Sequence, residues 1–89
     1  MLKQELVIQN QLGLHTRAAA KLVNVAKRFS CKIELIFRDR VVDAKSIMGV
    51  ITLGAQKQQH LTFTFDGADA EQACTAITQL INNKFDESN

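Results

Sequence analysis

His15 and Arg17 stand two residues apart in the run Leu12-Gly13-Leu14-His15-Thr16-Arg17-Ala18-Ala19-Ala20, just behind a glycine and at the expected mouth of a helix. A histidine ring is largely neutral near pH 7 and offers a nucleophilic nitrogen. Arginine adds a permanent charge on a planar set of donors that suits phosphate oxygens. The unpaired N–H groups of a first helical turn face the same point, and the helix dipole favours an anion there. Together these groups make a small site for a phosphoryl group. His15 is its nucleophile, Arg17 its counter-charge, and Thr16 and Ala18 its backbone N–H donors. Imidazole is a good leaving group from phosphorus, so such a site must hold the phosphoryl without making it too stable to pass on; partial charges and one guanidinium suit that demand. A histidine taken at random near a helix start is an ordinary surface residue. His15 differs in its neighbours: Gly13 permits an unusual backbone just before it, and three alanines leave the helix start open to a partner.

The elements that must position this run follow from hydrophobic spacing. Leu6 and Ile8 predict a first strand over about residues 2–8, broken by Asn10-Gln11-Leu12-Gly13. From Thr16 onward Ala19, Leu22, Val23, Ala26 and Phe29 recur at helical spacing, with Lys21, Asn24, Lys27 and Arg28 elsewhere on the wheel, which predicts an amphipathic helix ending near Arg28. Ile33, Leu35 and Phe37 predict a strand, and Arg38-Asp39 turns it into a second one around Val41 to Ala44. Ser46 can cap a short apolar helix through about Leu53, which Gly54 ends. Leu61, Phe63 and Phe65 alternate with Thr62 and Thr64, a strand whose Phe face belongs in the core. Asp69 with Gln72 fits a capping box for a last helix, lined by Ala70, Ala73, Cys74, Ile77, Leu80 and Ile81 to about Lys84. The order is βαββαβα. It predicts an α+β fold, an open-faced β-sandwich with a four-stranded antiparallel sheet and three helices on one face.

Composition narrows the function classes. The 89 residues are expected to form one domain, 1–89, too small for a cleft between lobes, so function sits at the surface. The net charge is +2, no basic run is present, and five Phe with no Tyr or Trp offer no stacking platform, which disfavours a small α+β nucleic-acid binder. No segment approaches the roughly 20 apolar residues of a membrane span, and no signal peptide opens the chain, so no membrane insertion and a cytoplasmic location are expected. Cys31 and Cys74 are too few and too far apart for a disulfide framework or a zinc site, and both are read as small hydrophobes. His60 is read as a surface residue. No metal site and no cofactor are expected.

Over its whole length the chain resembles the HPr family, the histidine-containing phosphocarriers of the bacterial phosphoenolpyruvate-dependent phosphotransferase system. Gly13-Leu14-His15-Thr16-Arg17 followed by Ala19-Ala20 matches the family's active-site signature, and Lys45-Ser46-Ile47-Met48-Gly49-Val50 followed by Thr52-Leu53-Gly54 resembles its second signature. The resemblance implies that enzyme I passes a phosphoryl group from phosphoenolpyruvate to Nδ1 of His15, and that IIA domains of sugar permeases or regulatory IIA proteins receive it. Such a protein relays a covalent group between partners, turns over no small substrate by itself, and is expected to be a monomer. The family usually carries proline where this chain has Ala18; alanine leaves the first turn less preorganised and adds an N–H.

The resemblance also implies two roles for the segment after Lys45. In many members an HPr kinase/phosphorylase modifies the serine matching Ser46, and a phosphate there would place about −1.5 to −2 charge at a helix N-terminus. Apolar residues at helical spacing ordinarily belong to the core. On a helix that the family places beside the histidine, Ile47, Met48, Gly49 and Ile51 are instead expected to dock partners, with Ala20, Lys21, Asn24, Lys27 and Arg28 around them. Two further readings keep the same fold: a nitrogen-type paralogue in a purely regulatory phosphorelay, and a regulatory binding protein that transfers nothing. Retained His15 and Arg17 argue against the second.

Overall fold

In the computed structural model, which describes residues 1–88, the chain forms β1 (Leu2–Val7), α1 (Thr16–Ala26), β2 (Lys32–Phe37), β3 (Arg40–Asp43), α2 (Ile47–Ile51), β4 (His60–Asp66) and α3 (Ala70–Asn82). The sheet order is β1-β4-β2-β3, with every neighbouring pair antiparallel. The predicted α+β architecture, element order and single sheet are what the chain adopts.

The Phe-alternating strand β4 lies inside the sheet, paired on both sides, because its apolar face is the one that most needs covering. Leu61 opposes Leu6 on β1, while Phe63 and Phe65 oppose Leu35 and Ile33 on β2. All six are buried, and the Phe63 and Phe65 rings stack with centroids 6.1 Å apart. Residues directly opposite on an antiparallel pair share a face, so these form one apolar layer. Leu22 and Val23 of α1 and Ala73, Ile77 and Ile81 of α3 belong to the same buried cluster.

Several element ends differ from the sequence reading: α1 stops at Ala26, short of the expected end near Arg28, and β3 runs one residue earlier than the expected Val41 to Ala44. Ile8 lies just past β1, with its N–H on the Gln59 carbonyl at 3.0 Å and its own carbonyl accepting from Gln58 at 2.8 Å. The helix after Ser46 is short, ending at Ile51, and the chain unwinds through Thr52 to Gly54, whose φ is +65°. Beyond α3, Lys84, Phe85 and Asp86 all have positive φ, between 55° and 62°, and fully buried Phe85 turns the chain back under α1. Hydrophobic periodicity carries no sign of that reversal.

The capping box at Asp69 does not form. Asp69 is the N-cap of α3, but its side chain makes no cap bond. Its carboxylate instead accepts from the Ser30 N–H at 2.8 Å and the Cys31 N–H at 2.9 Å, fastening the start of α3 to the chain entering β2. The bond from the Ser30 backbone, with those from Cys31, holds this carboxyl below the ordinary aspartate value despite partial desolvation. A carboxyl whose pKa is depressed by folding stabilises the fold above its unfolded value and loses that contribution as pH falls toward the folded value. Asp69→Asn is therefore expected to lower the melting temperature at pH 7. Thermal unfolding from pH 7 down to pH 2 should show the gap from wild type closing below about pH 4, the ordinary aspartate range.

Candidate functional site

The backbone brings His15 to the N-terminus of α1 by a loop with little freedom. Gly13 has φ +67°, and a Cβ there would lie 2.6 Å from the Ala55 carbonyl oxygen and 2.7 Å from the Gln56 Cα. A side chain is excluded twice, by conformation and by space. Next to it the Leu14 N–H donates to the Ala55 carbonyl at 2.9 Å, and buried Asn10 donates from Nδ2 to the Gly13 carbonyl at 2.8 Å. The loop before His15 is thus pressed onto the segment that follows α2.

His15 is the N-cap of α1, and its carbonyl accepts the first helical bond from Ala19 at 2.8 Å. The Arg17 N–H points at ring atom Nδ1 at 3.3 Å. On the other side of the ring Nε2 meets Glu87 Oε2 at 2.5 Å. With Nδ1 accepting and a carboxylate at Nε2, the proton of the neutral ring belongs on Nε2, leaving the Nδ1 lone pair toward the first turn.

Glu87 is held as well. Asn10 Nδ2 donates to its other oxygen at 3.1 Å, and the Lys21 ammonium donates to the Phe85 carbonyl at 2.7 Å. Burial pushes the Glu87 carboxyl up, but the hydrogen bonds from His15 and Asn10 and the charges of His15 and Lys21 outweigh it and hold it below the ordinary glutamate value. His15, Thr16, Arg17, Ala20, Lys21 and Glu87 line one open depression of about 930 Å³. Its cationic and N–H groups suit an anion, and Nδ1 of the half-buried ring supplies a nucleophile.

The remaining candidate residues lie on and beside α2, which packs against α1. Ser46 is exposed and caps α2, its Oγ accepting from the Gly49 N–H at 3.2 Å. Ile47 is 38% exposed and Met48 66% exposed, whereas Ile51 is half-buried against the core and Gly49 half-buried over Val42 and Ser46. Asn24 and Lys27 are exposed on α1; Lys21 is not a free rim charge but is tied to Phe85. Ala18 is fully buried, so its side chain faces the core and not the depression.

Three residues escaped the sequence reading. Glu87 is 72 positions from His15, and no local spacing connects them. Asn10 reads in sequence only as a strand breaker, although a polar residue three positions before the glycine of a site loop is a signal in plain view. Leu12 is 68% exposed and lines the depression, an apolar rim inside the motif itself.

A sequence model described as "PTS HPr component phosphorylation site" matches residues 2–83. The chain belongs to the HPr family. It is 42% identical to the phosphocarrier protein HPr of Xylella fastidiosa strain 9a5c, across 98% of each chain. To the phosphocarrier protein NPr of Shewanella violacea it is 36% identical, covering 98% of this chain and 96% of that one. The crystal structure of HPr-C-His from Thermoanaerobacter tengcongensis superposes with a TM-score of 0.96 at 37% identity over the whole of both chains. The chain is thus an HPr-type phosphocarrier of the phosphotransferase system. Among its described residues no helix is long and apolar enough to cross a membrane, and no group of three or more His, Cys, Asp or Glu is placed to hold a metal ion.

Because the loop before His15 is pinned at Gly13, Gly13→Ala should lower stability by about 2 kcal/mol or more, from the positive φ and the overlap with Ala55 together. Urea unfolding measures the loss. Faster amide exchange at Leu14 would show that the bond to Ala55 has opened.

Proposed function

We propose that His15 accepts a phosphoryl group on Nδ1 from phospho-enzyme I and passes it to IIA proteins or domains. The observation that carries this reading is the direction of the ring: Nδ1 faces the Arg17 N–H at the start of α1 while Nε2 is occupied by Glu87. The Nδ1 lone pair forms the new P–N bond as the bond from phosphorus to the donor breaks and leaves its electron pair on the donor. Arg17 and the first-turn N–H groups, those of Thr16 and Ala18 among them, neutralise the phosphoryl oxygens. Transfer onward repeats the displacement with His15 as leaving group.

Donor and acceptor dock in turn on the surface formed by exposed Ile47 and Met48 beside α1, with Ala20, Asn24 and Lys27 at its edge and Gly49 and Ile51 supporting it from below. Greater identity to the Xylella HPr than to the Shewanella NPr supports the sugar-transport branch over the nitrogen-type one. Exposure of the Ser46 hydroxyl next to Ile47 and Met48 supports a regulatory site there for an HPr kinase/phosphorylase. A phosphate at Ser46 would put charge at the edge of the docking surface while remaining compatible with a helix N-terminus.

Purified protein mixed with enzyme I and labelled phosphoenolpyruvate should take up label that a cognate IIA protein then removes. His15→Ala should take up none, and Arg17→Ala should do so about 10–100-fold more slowly. Wild-type protein that stays unlabelled would refute the reading. For the second site, incubation with the kinase and ATP should yield phosphate at Ser46 by mass spectrometry and slower labelling at His15. Ser46→Ala should block that modification and lower stability by about 1 kcal/mol through loss of the cap. A phosphosite map empty at position 46 removes the regulatory role.

A further inference from the structure

We infer that Glu87 is a positioning residue for phosphoryl transfer, holding the His15 ring by Nε2 so that Nδ1 stays aimed at the first turn of α1. This inference rests on the phosphocarrier reading of His15. It starts from the segment after α3, which goes out of its way to reach the ring. Lys84, Phe85 and Asp86 take up a left-handed conformation three times in succession, although none is glycine. Left-handed backbone is disfavoured for such residues and persists only where surrounding contacts over-determine it.

Those contacts are all in place. Phe85 is fully buried, its carbonyl accepts from the Lys21 ammonium at 2.7 Å, and Glu87 takes a bond from Asn10 at 3.1 Å. Asn10 is itself completely buried and bonded to the Gly13 carbonyl at 2.8 Å. One side chain therefore registers the loop before His15 against the carboxylate behind it. The charged groups that line the depression with the ring are Arg17 and Lys21 from α1 and Asp86 and Glu87 from the segment after α3, and Glu87 is the carboxylate bonded to Nε2.

This arrangement helps in both states of the carrier. In the neutral ring it keeps the proton on Nε2 and the lone pair on Nδ1. Once phosphorus is bonded to Nδ1, the ring still carries the Nε2 proton and has gained a positive charge, which the carboxylate neutralises without taking the proton. When the P–N bond breaks, its electron pair returns to Nδ1 and the ring is again neutral. The proton never leaves Nε2, so Glu87 acts by orientation and charge, not as a base.

The test uses the full chain as wild type, Glu87→Ala and Glu87→Gln. In 15N-labelled wild type, the bond to Glu87 should give a low-field ring N–H proton coupled to Nε2 and protected from exchange; Glu87→Ala should lose it, with the remaining amide spectrum unchanged. With phospho-enzyme I as donor, kcat for label uptake should fall about tenfold in Glu87→Ala, the lower end of what loss of a histidine's outer partner costs, with KM within about twofold of wild type. Glu87→Gln, which keeps an acceptor but not the charge, should fall between the two and covers the case that the alanine variant does not fold. A missing low-field proton in wild type overturns the inference, as does uptake by Glu87→Ala at an equal or higher kcat, or a change confined to KM. Unlabelled wild type instead overturns the phosphocarrier reading and this inference with it, so the two failures are separate.

Discussion

Burial of the Leu61-Phe63-Phe65 face is the constraint on which the other elements depend. A strand with three large apolar side chains on one side must be covered there and flanked by others that bury the same face. This makes β4 an inner strand and sets the registers of β1 and β2 so that Leu6, Ile33 and Leu35 meet it. With that layer formed, α1 and α3 have one face of the sheet to cover, and both lie on it. The N-terminus of α1 is left at the rim, open to solvent. That position leaves exposed Thr16 and Arg17 and the half-buried His15 ring reachable from outside the fold.

The site is not built on the sheet but hung from its connections. Gly13 touches the segment after α2, Asn10 touches the segment after α3, and Lys45 reaches across to the Phe29 carbonyl at 2.8 Å near the end of α1. Each contact joins parts of the chain that are distant in sequence. Together they hold the ring with one nitrogen toward the helix and the other toward a carboxylate, a division of labour that a histidine at a solvated helix end would lack. The five residues of the short helix α2 divide in burial: Val50 and Ile51 pack inward, and Ile47 and Met48 stay exposed. The excess of apolar residues there reflects a surface as well as a core contact.

Much of this was legible because the pertinent signals are local. Alternation in residues 61–65, helical spacing from Ala19 to Ala26 and the serine cap at 46 each depend on neighbours a few positions away, and each formed where its spacing placed it, with only Phe29 falling beyond the helix. Asp69 misled for the same reason. Its spacing to Gln72 suits a capping box, but two N–H groups at Ser30 and Cys31 come within reach once β2 and α3 are packed, and they compete successfully for the carboxylate. Leu12 and Asn10 lay in view, yet a breaker motif says only that a strand ends, not which side chain is buried and which exposed.

The sequence by itself determined the element order, the apolar face of β4, the pairing of His15 with Arg17 in one short run, and membership of a family through two separated motifs. Periodicity, capping and motif spacing are properties of short stretches and survive without a fold. The tertiary structure alone decided that Glu87 lies on His15, that Lys21 serves the Phe85 turn, and that Ala18 is core. Those outcomes depend on which distant segments meet after the sheet is covered, and on a left-handed reversal at residues 84–86 that no local preference announces. His15 and Arg17 are thus written in one short run, whereas the orientation of the ring comes from chain ends brought together by packing.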